Sequence, residues 1–299
     1  MKRIPFLLAA AILLLSLCSC AAPEPPAQVA ATTLPVYEFT SRICKGTGIS
    51  VTRLVTESVS CLHDYSLNVS QVRAAEAAQL IVISGAGMEE FMEDLLVHKA
   101  VVDCSAGIDL IESGAAHDHD HGDHGNHAND GHHHEEDPHI WLSPANAKIM
   151  ARNICSGLSS QYPEYATTFQ QNLDILIREL DDLQVYGEDQ LSQLKCRELI
   201  TFHDGFAYLA QCFDLTILEA VEEESGSEAS AAELKHLIEE VRHHKLPAVF
   251  TEVLGSTSAA RIIADETGIS VYTLDMAMYG DGYFNAMHHN IDTLKEALE

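Results

Sequence analysis

Residues 163–183 read PEYATTFQQNLDILIRELDDL. Tyr165, Phe169, Leu173, Leu176, Leu180 and Leu183 recur at spacings of four and three, which lays one apolar stripe along a helix. Pro163 suits the first turn of that helix, where its missing N–H removes no intrahelical bond. The stripe is much longer than the mean globular helix of about 11–12 residues. On both sides of it the chain alternates short strand patterns with helical ones. A long helix between two such regions acts as a rigid spine joining two lobes.

Ahead of the stripe, residues 29–33, 49–55, 80–83 and 100–104 read as strands, with helices over 35–44, 69–78 and 87–97. Ser143-Pro144 has the form of an N-cap followed by a first-turn proline, opening a helix to about Ser159. Behind the stripe, strands are expected over 198–202, 215–221, 247–253 and 270–274. Helices are expected over 205–212, 231–244, 257–267 (closed by Gly268) and 283–298. Strand–helix alternation implies parallel sheets covered by helices. The expected fold is therefore α/β: two lobes, each a parallel sheet with flanking helices, joined by one long backbone helix. The corresponding segments are 28–160, 161–195 and 196–299.

The amino terminus points out of the cytoplasm. Lys2 and Arg3 precede an apolar run from Ile4 to Leu17, too short to span a bilayer and laid out as a secretory signal peptide. Leu17-Cys18-Ser19-Cys20 resembles a lipobox, so residues 1–19 are expected to be cleaved and Cys20 lipidated. Residues 20–27, rich in Ala and Pro, then form a tether to the membrane. A net charge of −28 argues against nucleic acid as a partner, because phosphate is repelled. Cys44, Cys61, Cys104, Cys155, Cys196 and Cys212 show no CxxC spacing, and their pairing stays open.

Metal chemistry is written twice. Residues 117–137 read HDHDHGDHGNHANDGHHHEED and hold His117, His119, His121, His124, His127, His132, His133 and His134. Imidazole is the commonest ligand of borderline metals, and a tract without a large apolar residue cannot build a core, so it reads as a metal-binding loop. Separately, His203 and Asp275 directly follow predicted strands, His63 follows one after a loop, and His139 precedes a helix. Ligands of open α/β sheets collect at the carboxyl ends of strands. Three imidazoles and a carboxylate meeting between the lobes suit a borderline divalent cation, above all zinc. Taken singly, each residue also fits a cap or a surface position.

These residues carry a family resemblance. His63-Asp64-Tyr65, Ser84-Gly85-Ala86-Gly87-Met88-Glu89, Asp137-Pro138-His139-Ile140-Trp141-Leu142-Ser143-Pro144, Phe202-His203-Asp204-Gly205-Phe206 and Leu274-Asp275 occur in that order. Together they resemble the zinc-uptake (ZnuA-like) branch of the metal-binding receptors of bacterial ABC importers, over about residues 29–298. The resemblance implies two α/β lobes on one long helix, with His63, His139 and His203 as ligands and Asp275 at the fourth position. Manganese-selective relatives tend to carry Glu where this chain has His203. The family often has Pro soon after the first ligand, whereas this chain has Ser66-Leu67-Asn68-Val69.

The receptor implied takes Zn²⁺ as transported ligand, hands it to an ABC permease with its ATPase, and works as a lipid-anchored monomer. Manganese receptor and adhesin are alternatives within the family. An exported zinc hydrolase, with Glu252 as general base, is the alternative outside it; no HExxH pair is present to support it. His243, His244, His288 and His289 read as exposed helical residues, His98 as a helix-end residue that meets the dipole, and Trp141 as the packing anchor that orients His139.

Overall fold

A computed structural model describes residues 28–58, 62, 65–113, 136–221 and 229–299. The expectations for the signal peptide and Cys20, the tether, Cys61, His63 and the histidines of 117–134 fall outside those residues.

The first sheet is built from β1 (Gln28–Ala31), β2 (Ser50–Arg53), β3 (Leu80–Ile83) and β4 (Val101–Asp103), in the order β2-β1-β3-β4. The second uses β5 (Glu198–Phe202), β6 (Thr216–Ala220), β7 (Ala248–Glu252) and β8 (Ser270–Leu274), in the order β6-β5-β7-β8. Every pairing in both is parallel. The two sheets thus repeat one topology. In each, the chain leaves the first-formed strand to one side and returns to its other side, so a crevice opens at the carboxyl ends of β1 and β3 and of β5 and β7. Parallel strands need cover on both faces, and Leu80-Ile81-Val82 and all five residues of β7 are buried accordingly.

The helices of the first lobe are α1 (Leu34–Ile43), α2 (Val69–Ala77), one turn, α3 (Glu93–Leu96), and α4 (Pro144–Gln161). The spine, α5, spans Ala166–Gln190, and α6 (Ala207–Cys212), α7 (Ala231–His244), α8 (Ser258–Thr267) and α9 (Tyr283–Leu298) follow. At 1.5 Å per residue the 25-residue spine is about 37 Å long. It buries Phe169, Leu173, Leu176, Leu180, Leu183 and Gly187, the predicted stripe without Tyr165 and continued by one turn. It packs on α1 and α4 on one side and on α9 on the other. Gly187 costs helix propensity but admits the ring of Phe213, whose Cε1 lies 2.3 Å from where a glycine-replacing Cβ would stand.

Two local expectations change. Pro163 opens a separate 3-10 turn, Pro163–Tyr165, and the spine begins only at Ala166. Residues 87–97 form not one helix but a 3-10 turn, Glu90–Met92, and the single turn α3. The Glu89 carboxylate folds back to accept N–H bonds from Ser84 and Gly85. Gly85, Ala86 and Gly87 take positive φ, which ends any helix upstream of Glu89. Cys44, Cys104 and Cys155 are buried and unpaired. Burial pushes the Cys44 thiol up to about 12, so it packs as a small apolar group. No helix among the described residues is long and apolar enough to cross a membrane.

Candidate metal centre

The segment from Asp137 to Ser143 ties the two lobes together. Asp137 and His139 are almost fully buried. Asp137 Oδ1 accepts both the His139 backbone N–H at 2.9 Å and its ring Nδ1–H at 2.8 Å. With Nδ1 occupied as a donor, the lone pair sits on Nε2, the tautomer a metal ligand needs. Tyr208 donates its hydroxyl to the Asp137 carbonyl at 3.0 Å. A 3-10 turn, Ile140–Leu142, follows, and the Ser143 hydroxyl caps α4 by accepting from the Asn146 N–H.

Trp141 is wholly buried and donates its indole N–H to the carbonyl of Met276 at 2.8 Å. Its ring meets that of His139 edge to face, with centroids 5.5 Å apart. The Trp141 carbonyl in turn accepts from the Tyr283 hydroxyl at 2.9 Å. The expected packing anchor is therefore also a polar bolt between the lobes. Replacing Trp141 with Phe leaves a buried carbonyl without its donor and a small void. We expect a loss of roughly 2–3 kcal/mol of stability, read by urea unfolding. A Trp141→Phe chain as stable as its parent would mean that the indole bond does not hold the lobes together.

From the second lobe, β5 ends at Phe202 and delivers His203, buried, into the crevice. The rings of His139 and His203 stand edge to face with centroids 5.3 Å apart. Glu252, buried at the end of β7, puts Oε2 3.9 Å from His203 Nδ1. β5 and β7 are the strands flanking the topological switch point, so these two side chains stand where the sheet places its ligands. Gly205 lies between the rings. A Cβ there would come within 2.9 Å of His139 Nδ1, 2.8 Å of His203 Cδ2 and 2.7 Å of Met276 Cε.

Asp275 follows β8, one residue before Met276. Its Oδ1 accepts from the Ala277 N–H at 2.8 Å, and its backbone is clamped by two 2.7 Å bonds to the Asn290 amide. Burial raises the pKa of its carboxyl, against the opposing pull of the Ala277 N–H and of His289. The Tyr279 phenol is likewise raised, first by burial and then by the neighbouring Asp275 and Glu252 carboxylates. Among the described residues, His139, His203 and Asp275 do not gather their ligand atoms to within 4.8 Å of one another.

Leu62 and Tyr65 are the described residues nearest to His63 along the chain. Leu62 shares a small cavity with Met88, Phe91 and Pro138, so the chain neighbour of His63 faces the chain neighbour of His139. Tyr65 packs edge to face on Phe91 and donates its hydroxyl to Glu57 at 2.6 Å. Asn68 caps α2 in a reciprocal capping box with Gln71, in the stretch where the family often has Pro. At the histidine tract, Glu112 and Glu136 pair in an antiparallel bridge. The two flanks of that tract are thereby held together one residue before Asp137.

Sequence reading missed three members of this centre. Asp137 was legible only as part of its motif, although Asp two residues before His is a recurrent local turn. Gly205 likewise stands only inside its motif, and Met276 gives no signal, because their role is contact across the crevice.

The profile of the ZnuA family, described as zinc-uptake complex component A, periplasmic, matches residues 29–297. The zinc-binding lipoprotein AdcA of Streptococcus pneumoniae (strain R6) is 30% identical over 319 residues, covering 100% of this chain and 62% of that protein. The chain thus spans less than two thirds of that relative. The high-affinity zinc uptake system protein ZnuA of Bacillus subtilis is 30% identical over 313 residues, covering 98% of this chain and 96% of that one. The crystal structure of the Zn(II)-bound ZnuA-like domain of Streptococcus pneumoniae AdcA superposes with a TM-score of 0.75 at 25% identity, covering 92% of this chain and 99% of that one.

Proposed function

We propose that this chain, which belongs to the ZnuA family of periplasmic zinc-uptake components, captures Zn²⁺ outside the cytoplasm and passes it to the permease of an ABC importer. The observation that carries this reading is the His139–His203 pair: two buried imidazoles, one from each lobe, with the Nδ1 of His139 held by Asp137. His63 and Asp275 are the further ligands in this reading, and the Glu252 carboxyl stands behind His203. The donor set fits zinc, which takes neutral imidazole and carboxylate in a four-coordinate shell. Imidazole at position 203, in place of carboxylate, favours zinc over manganese.

The protein's own residues do the rest of the work. Asp137 fixes the tautomer and the ring orientation of His139. Trp141 and Tyr283 hold the lobes at a set distance, so wide hinge closure is resisted and release falls to local movement of His203 and the Asp275 loop. The tract 117–134 raises local zinc near the crevice, consistent with its flanks meeting beside Asp137. A diacylglycerol on Cys20 keeps the receptor, as a monomer, at the membrane beside the permease and its ATPase.

Calorimetric zinc titration of the chain starting after Cys20 tests the reading, alongside a version lacking 117–134 and His203→Ala. One tight site that survives the deletion and is lost in His203→Ala is the expected result. If the deletion abolishes tight binding and His203→Ala leaves it intact, the tract is the site and the interlobe ligand set is wrong.

A further inference from the structure

The outer end of the second lobe carries another cluster of metal-ligating side chains. On α7, Glu240, His243 and His244 stand at positions i, i+3 and i+4, and so share one face of the helix. Their ligand atoms lie within 4.8 Å of one another. The His244 Nε2 and Glu240 Oε2 are 3.4 Å apart. That is longer than the usual 2.7–3.2 Å of an N–H···O bond. It matches the separation of about 3.4 Å between two donors that each sit about 2.0–2.1 Å from a tetrahedral zinc.

His244 is also oriented from behind. Its Nδ1 meets Glu198 Oε2 at 2.9 Å, across 46 residues of sequence. A carboxylate on one ring nitrogen, leaving the other facing a second carboxylate, is the arrangement that holds a histidine ligand on a metal. The ring of His243 stands edge to face with that of His244, centroids 4.8 Å apart. His243 is exposed, and the side chains of Glu240 and His244 are 24% and 25% accessible, so a hydrated cation can reach all three. Arg242 in the same turn is turned away and donates to the Glu266 carbonyl at 2.9 Å. A cation here also meets the negative end of the α7 dipole.

We propose that Glu240, His243 and His244 form a second, solvent-facing site for a borderline divalent cation of the zinc, nickel and copper class, with Glu198 as the positioning residue of His244. Water fills its open positions. The site is distinct from the interlobe centre: Glu198 begins β5 and His203 follows its end, which puts roughly 16 Å of strand between them. It binds metal whether or not the crevice does.

Diethyl pyrocarbonate footprinting of the full chain at buffered free Zn²⁺, read by mass spectrometry, tests this. His243 and His244 are expected to become protected together, at a zinc concentration that leaves the isolated His98 reactive. Glu198→Gln should raise the zinc needed by roughly tenfold or more. Glu240→Gln should do the same, and His203→Ala, which removes an interlobe ligand, should leave the zinc concentration that protects His243 and His244 where it is. The competing arrangement is His244 as an imidazolium held between two carboxylates. It predicts His244 equally shielded with and without zinc and His243 equally reactive in both, and that result overturns the site.

Discussion

Gly205→Ala is expected to weaken zinc binding by more than tenfold while leaving the chain folded. A methyl group at this position would stand under 3.0 Å from three side chains at once: His139, His203 and Met276. None of the three can step aside freely. His139 is tied through Asp137 and packed edge to face with Trp141. His203 leaves the end of β5 backed by Glu252. Met276 presents its carbonyl to the Trp141 indole. The Met276 methyl, at the end of a flexible side chain, is the easiest to displace, and the rings must then spread. Overpacking of this kind costs about 1–3 kcal/mol, and rings held for one ligand geometry lose affinity when moved by even a fraction of an ångström. Calorimetry with zinc, together with urea unfolding of the metal-free chain, separates the two effects. Wild-type affinity in a folded Gly205→Ala chain would mean that the two rings do not bind metal together.

The spine could be read from the chain alone because its signal is local. Six apolar residues at helical spacing need no knowledge of their partners, and all of them but Tyr165, which stays in the preceding 3-10 turn, are buried along α5. The strand-and-helix alternation of both lobes is legible for the same reason. What the sequence hides is whatever depends on residues far apart. Glu89 sits in a stretch of helical composition, yet its carboxylate is claimed by the N–H groups of Ser84 and Gly85 and by the Thr32 hydroxyl, 57 residues away. His244 looks like one more exposed helical histidine until Glu198 is placed behind it. In the metal centre, the residues visible beforehand are those whose chemistry is conspicuous, the histidines and Asp275. Gly205 and Met276 act through shape, and shape is decided only when the two lobes meet.

Glu89 leads to the second large effect. Its carboxyl lies at the switch point of the first sheet, where β1 and β3 end, as Glu252 lies at that of the second. It is buried, and burial pushes its pKa up to about 7, against the pull of the Thr32, Ser84 and Gly85 donors and with a small push from Asp103. In the unfolded chain the same group titrates near its ordinary value of 4.5. A group raised on folding contributes most below its unfolded pKa, and that contribution is lost as pH rises through the folded value. The native chain should therefore lose on the order of 3 kcal/mol from this one group between about pH 4.5 and pH 7, and nothing further above it. Glu89→Gln removes the titration. The amide is less well matched to the Gly85 N–H, so the variant is not expected to be more stable everywhere. The discriminating quantity is the difference between the two chains as a function of pH, in which all other carboxylates cancel. Urea unfolding of the metal-free proteins from pH 4.5 to pH 8 should show the parent losing ground to the variant across that window. Parallel curves would mean that Glu89 enters the fold already ionised at pH 4.5, held so by its three donors.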